Sequence, residues 1–157
     1  MKFSQSLASG QTVSVEIVSW TTAALQLSDI RRRVFIAEQG VPEALEWDGL
    51  DETAQHVLAR IGAQPVAVGR LLPSGQIGRM AVLPAWRRQG IGSLVLARLL
   101  EIARAQGLDT VFLYAQLSAQ AFYARHGFVC EGEVFEDAGI AHITMRRPFD
   151  ADEPSAP

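Results

Sequence analysis

Short apolar runs alternate along the chain with stretches of helical period, and the alternation predicts an order of elements. Around 13–20, Val13, Val15, Ile17, Val18 and Trp20 read as a strand. Leu27, Ile30 and Val34 then recur at helical spacing, predicting a helix to about residue 37 capped by Thr21 or Thr22. Strands are expected over 55–61, 65–72 and 77–83, the first two joined as a hairpin through Gly62, Ala63 and Gln64. Pro84 ends the third, because proline has no N–H to give a ladder. From Ile91, the residues Val95, Leu99 and Ile102 mark the buried face of a long helix that Gly107 ends. The run 109–116 (DTVFLYAQ) reads as a buried strand, followed by a short helix with Ser118 as cap and Gly127 just past its end. A last strand pair, 128–135 and 140–146, surrounds a turn at 136–139. The order β-α-βββ-α-β-α-ββ argues an α/β fold with a mixed sheet, not an all-parallel one.

Composition narrows the class. A chain of 157 residues, 48% hydrophobic and 20% charged, is one globular domain with a core, expected over 1–149. The acidic, proline-containing end, 150–157 (DADEPSAP), reads as a disordered tail. A net charge of −3 gives no support for broad nucleic-acid binding. Arg31, Arg32 and Arg33 read as a solvated helix face. The single cysteine, Cys130, excludes an internal disulfide and reads as a small buried apolar residue. No two histidines stand at ligand spacing, so no metal is expected. No apolar run is long enough to span a bilayer and no secretory signal follows Lys2, so a cytoplasmic protein is expected.

The chemistry concentrates in two stretches. Between the third strand of the central set and the long helix stand Arg87, Arg88, Gln89, Gly90, Ile91 and Gly92. Glycines allow close backbone approach, a helix N-terminus offers unbonded N–H groups, and arginines add charge, a combination suited to phosphate. A dinucleotide fingerprint would need glycine at 95, where Val95 stands, and no G-K-[ST] tripeptide occurs for a P-loop. What remains is R-x-x-G-x-G; a tight strand–helix turn that happens to contain arginines is the plainer alternative. The second stretch, 38–52, holds Glu38, Glu43, Glu46, Asp48, Asp51 and Glu52, with no lysine or arginine between Val34 and Ala59. It reads either as a solvated acidic loop or as a mouth that attracts a cationic substrate. Trp47 within it reads as an anchor to the core before a stacking surface for a cation. His56, in a strand, reads as a surface or hydrogen-bonded residue before a base.

With these residues in place, the chain resembles the GNAT superfamily of acyl-CoA-dependent N-acetyltransferases. The element order matches, R-x-x-G-x-G follows the middle strand, and FYARHGF at 122–128 looks like the family's last-helix signature. At finer grain it resembles the ElaA-like subgroup, through RRRVFIAEQGVP (31–42), E-x-D-x-x-D (Glu46, Asp48, Asp51), AQLSAQAFYARHGF (115–128) and EVFEDAGIAHITM (133–145). The resemblance implies acetyl-CoA as co-substrate. Arg87, Arg88, Gln89, Gly90, Ile91, Gly92 and Ser93 would take the pyrophosphate, and the backbone of Met80, Ala81 and Val82 would pair with pantetheine where the strand splays from 110–115. Gln116 falls where many members have asparagine. Tyr123 would protonate the departing CoA thiolate after direct attack of a primary amine on the thioester. A base for the amine is left open among Glu38, Asp48, Asp51 and His142. The acceptor is a small-molecule or peptide amine, and monomer or homodimer stays open. A CoA-binding sensor without turnover, or a structural domain docking an acidic partner, are the alternatives from other classes.

Overall fold

The computed structural model describes residues 2–150, with side chains from Ser4 onward, so all of the expected tail at 150–157 except Asp150 lies outside the described residues. The alternation of the first half becomes a five-stranded antiparallel meander: β1 (Lys2–Ser6), β2 (Thr12–Val18), β3 (Gln55–Ile61), β4 (Gln64–Leu71) and β5 (Ile77–Val82). The second half gives β6 (Thr110–Gln116), β7 (Val129–Asp137) and β8 (Ile140–Pro148), in the order β6-β8-β7. Four helices join them: α1 (Trp20–Arg31), α2 (Glu43–Glu46), α3 (Ile91–Ala105) and α4 (Gln120–Arg125). Among the described residues no helix is long and apolar enough to cross a membrane.

Both faces of the first sheet are covered. Val57 and Ala59 of β3 pack in one core with Val95, Leu96 and Leu99 of α3. Leu58 and Val68 pack in another with Ala23, Leu27 and Ile30 of α1. This explains why Val57, Leu58 and Ala59 are all fully buried although alternate strand residues face opposite ways. Gly69 lets α3 lie close on β4: a Cβ there would stand 2.7 Å from both Val95 and Leu99 side chains.

Three local expectations change. β1 was not anticipated, because its pairing with β2, Phe3 opposite Val15, comes from the sheet and not from any pattern of its own. Ser19, not Thr21 or Thr22, caps α1; its hydroxyl accepts from the Thr22 N–H at 3.2 Å. Ser118 lies inside a 3₁₀ turn (Leu117–Ala119), and α4 starts after Ala119 without a side-chain cap. Past Arg31, α1 continues as a π-helical turn, Arg32–Glu38, in which the Gln39 N–H reaches back five residues to the Val34 carbonyl at 3.0 Å.

The arginine triplet is the largest correction. Neighbours on a helix point about 100° apart, so three in a row cannot share one face. Arg31 is 1% exposed, whereas Arg32 and Arg33 reach solvent. The Arg31 Nε donates to Glu46 Oε2 at 2.8 Å and its Nη1 to Asp51 Oδ1 at 2.6 Å. Its guanidinium lies 5.6 Å from the Trp20 ring and 5.1 Å from the Trp47 ring, so Trp47 does anchor its loop, on a cation of the chain itself. Arg70 from β4 bonds Asp48 and Asp51, at 2.8 and 3.1 Å. Arg79 from β5 stands 3.0 Å from Glu46 and 3.3 Å from Asp48. Buried His56 bonds the Asp51 carbonyl at 2.8 Å, and burial pushes its pKa down. Three of the six acids, Glu46, Asp48 and Asp51, are therefore no open mouth but are answered by arginines that come from α1, β4 and β5.

Removing Arg31 leaves Glu46, Asp48 and Asp51 facing only Arg70 and Arg79, one counter-charge short in a buried network. Arg31→Ala is expected to lower unfolding free energy by about 3–5 kcal/mol in urea titrations. Stability should also follow pH with a defined sign. Burial alone would raise the Asp48 carboxyl, but the bonds from Arg70 and the Leu50 N–H and the charge of Arg79 outweigh it and hold it at about 2. A depressed carboxyl contributes stability that is fully present above its unfolded value of about 4. The urea midpoint should thus fall as pH drops from about 4 through about 2, and Asp48→Asn should flatten that fall.

Candidate functional site

The two sheets meet at one place. Gln76 and Phe112 form an isolated parallel bridge between the start of β5 and β6, and the Phe112 N–H donates to the Gly75 carbonyl at 3.1 Å. Beyond it the strands part, and a cleft of about 490 Å³ opens between them. The splay expected between 80–82 and 110–115 is thus present. β5 bulges at its opening: Ala81 lies opposite Val68 but Gly78 opposite Arg70, so β5 carries one extra residue. Arg79 sits in this bulge with φ +48, an uncommon conformation for a residue other than glycine, held by its ion pairs to Glu46 and Asp48. Met80, Ala81 and Val82 follow along the cleft wall.

The loop before α3 has the geometry that its sequence suggests. Gly90 is the residue before the helix and adopts φ +82, where a side chain would be strained. Arg88 is exposed, with φ +64, and makes no ion pair among the described residues. Arg87 is different. Its Nη1 and Nη2 donate to the two oxygens of Glu38 at 2.7 and 2.6 Å, and its Nε donates to the Val82 carbonyl at 2.8 Å. This pair spans from the end of the π-helical turn to the glycine loop. The bond from Arg87 holds the Glu38 carboxyl below its ordinary range, which makes Glu38 a weak base. Gln89 is exposed; Ile91 is buried in the core beneath the helix start. Gly92 lines the cleft, and the Ser93 hydroxyl lies 3.0 Å from His126 Nε2.

α4 brings Phe122 and Tyr123 to the cleft. The Tyr123 hydroxyl points at Met80 Sδ, 3.7 Å away, and burial pushes its pKa up to about 12. On the opposite side, His142 of β8 is 8% exposed and its Nδ1 lies 2.7 Å from the Ile140 carbonyl. A carbonyl only accepts, so Nδ1 carries the hydrogen and, in the neutral ring, Nε2 keeps a lone pair. Gln116 of β6 donates to Gln39 Oε1 at 2.8 Å and ties the two walls together.

The structure thus brings Met80, Ala81, Val82, Arg87, Gly92, Gln116, Tyr123 and His142 to one cleft. Asp48 and Asp51 do not line it; they sit behind it in the arginine network. Arg79, Tyr114 and Asp137 line it without having been anticipated. Arg79 had a signal, a charged residue beside Gly78 in an otherwise apolar strand, which is how a bulge reads in sequence. Cys130 is partly buried and accepts from Gln120 Nε2 at 3.0 Å.

A sheet that parts at its centre, with a glycine turn and a helix N-terminus at the opening, defines the acyl-CoA N-acyltransferase fold. The chain belongs to the GNAT acetyltransferase family: the profile of the GNAT acetyltransferase domain matches residues 12–149. Within that family it is ElaA-like. It is 36% identical to the protein ElaA of Escherichia coli over 138 residues, 83% of this chain and 88% of ElaA. The crystal structure of ElaA superposes with a TM-score of 0.78 at 30% identity, covering 86% of this chain and 99% of that one. An acyl-CoA N-acyltransferase from Pseudomonas aeruginosa superposes with a TM-score of 0.76 at 36% identity, over 86% of this chain and 99% of its own. At 15% identity, a GNAT acetyltransferase of Elizabethkingia anophelis, solved with acetyl-CoA bound, shares the fold with a TM-score of 0.66, over 87% of this chain and 98% of its own.

Proposed function

We propose that this N-acetyltransferase moves the acetyl group of acetyl-CoA to a primary amine by direct attack, with His142 as the base and Tyr123 at the departing sulfur. The observation that carries this is the placement of the two groups in one cleft, Tyr123 on the α4 side and His142 with Nδ1–H already committed to the Ile140 carbonyl. The residues present fit the donor. Beyond the Gln76–Phe112 bridge, β5 has no strand at its side toward β6, so the backbone of Met80, Ala81 and Val82 is available to an amide-bearing pantetheine arm. The first turn of α3, from Ile91 to Ser93, has N–H groups without partners inside the helix, and Arg88 stands exposed beside it.

A protonated amine cannot attack. His142 Nε2 takes one proton from the ammonium; the freed nitrogen attacks the thioester carbon, the C–N bond forms, and the C–S bond breaks. A strand N–H near Val82 receives the developing oxyanion. The departing sulfur needs its charge answered. Tyr123, with a pKa of about 12, stays protonated, whereas a thiol has about 8.5. Full transfer from phenol to a free thiolate is therefore uphill by about 3.5 pKa units, so the hydroxyl acts by donating a hydrogen bond as charge develops. The second amine proton then supplies the thiol.

Three outcomes test this. Release of free thiol from acetyl-CoA with a panel of amines, above the rate without amine, separates an enzyme from a CoA sensor. Tyr123→Phe keeps the ring and should lower kcat by about 10²–10³, the worth of one donor to developing charge, with acetyl-CoA affinity retained. His142→Ala should lose a similar factor and recover part of it with added imidazole; no loss would move the base elsewhere. Glu38→Gln carries the opposite sign for the donor. Because Glu38 competes with phosphate for Arg87, its neutralisation should tighten CoA binding, by up to about fivefold for an exposed pair, as read by calorimetry. Weaker binding would mean instead that Glu38 aims Arg87 at the phosphate.

A further inference from the structure

The acceptor half of the cleft has walls of a consistent kind. On one side stand Phe35 from the π-helical turn, Val41, and Leu45 of α2; on the other stand Tyr114 of β6 and Ile140 of β8. Leu45 is 54% exposed and Tyr114 is 45% exposed, a large apolar surface at the mouth of a cleft and not in a core. Tyr114 is nonetheless held by neighbours. Its ring meets Phe135 edge-on at 5.4 Å and lies 6.0 Å from Phe112, which in turn has the Arg146 guanidinium 5.3 Å from its centre. A ring fixed in this way presents an apolar face at low ordering cost.

Charge sets the second constraint. Arg79 and Arg87 line the cleft already engaged by carboxylates, and Glu46 is engaged by Arg31 and Arg79. Among the described residues that line it, Asp137, the exposed last residue of β7, is the carboxylate outside an ion pair. The cleft therefore offers one carboxylate beside one base, His142, and nothing for a second or third ammonium. Polyamines and lysine-rich tails carry charges that this cleft would desolvate without compensation.

We infer that the acceptor is a small monoamine with an apolar, ring-sized body, its amine directed to His142 and Asp137 and its body between Leu45 and Tyr114. This rests on the amine-acetylation reading above. Tyr114 is then the residue that selects the body, while Asp137 draws in the single positive charge.

The test uses the full chain, acetyl-CoA and thiol release with phenethylamine, butylamine, spermidine and a single-lysine peptide. Phenethylamine is expected to give the highest kcat/KM. Tyr114→Ala should cut the ratio of phenethylamine to butylamine kcat/KM by about fivefold to tenfold, the worth of one aromatic contact, with KM for acetyl-CoA kept. Tyr114→Phe should retain the ratio. Leu45→Ala, on the facing wall, should lower it independently and serves if Tyr114→Ala does not fold. Preference for spermidine or the peptide, or a ratio indifferent to both alanine variants, overturns the inference while leaving acetyl transfer intact. No thiol release with any amine, in protein that binds acetyl-CoA, overturns the acetyl-transfer reading and this inference with it.

Discussion

A guanidinium with 1% of its surface exposed has to be answered on every side, and the way Arg31 is answered organises the front half of this protein. Two indoles cover its faces and two carboxylates take its edges. Those carboxylates, Glu46 and Asp51, come from the long connection after α1, so the connection is pulled onto the sheet by charge more than by apolar burial. Arg70 and Arg79 complete the network from β4 and β5. Three arginines face three carboxylates, with His56 kept neutral by burial. The balance matters for the site: of the six acids in this segment, Glu46, Asp48 and Asp51 have their charge answered within the protein.

The same network reaches the chemistry through Arg79. A positive φ at a residue with a side chain costs of the order of 1–3 kcal/mol, and something must hold it. Ion pairs of Arg79 to Glu46 and Asp48 do so, and they fix the extra residue of β5 where the strand leaves β6. The bulge turns Met80, Ala81 and Val82 along the cleft, so that the opening between the sheets is held from behind by the loop anchored on Arg31. Asp48 and Asp51, candidate bases from the sequence, lie outside the lining of the cleft, in the arginine network.

The frame and the loop before α3 were legible because they are written in local chemistry. Apolar patterning marked β2 to β8 to within two residues at each end, although Trp20, read as strand, opens α1; the period from Ile91 to Ile102 marked α3, and Pro84 and Gly90 marked the turn before it, where Gly90 takes a positive φ. β1 was not legible, since KFSQS has no pattern of its own and is a strand only because β2 offers an edge. Nor was the π-helical turn, whose wider hydrogen bonding leaves no signature in the period yet places Phe35 and Gln39 on the cleft. The arginine triplet misled for a geometric reason: adjacency in sequence on a helix is separation in space.

Donor and acceptor halves also differ in what they are built from. On the proposed reading a pantetheine arm and a pyrophosphate meet backbone N–H groups, and that asks of the donor half only a parted strand and a glycine turn. On the same reading an amine and its body meet side chains, each of them held by a partner: His142 by the Ile140 carbonyl two residues back, Tyr114 by Phe135 and Gln116 by Gln39. Glu38 and Arg87 join the halves, because the carboxylate stands at the end of the acceptor wall and the arginine in the donor's loop. If a donor phosphate draws on the arginine that Glu38 holds, as proposed, Glu38 loses its counter-charge, and occupancy of the donor half then changes the charge at that edge of the cleft.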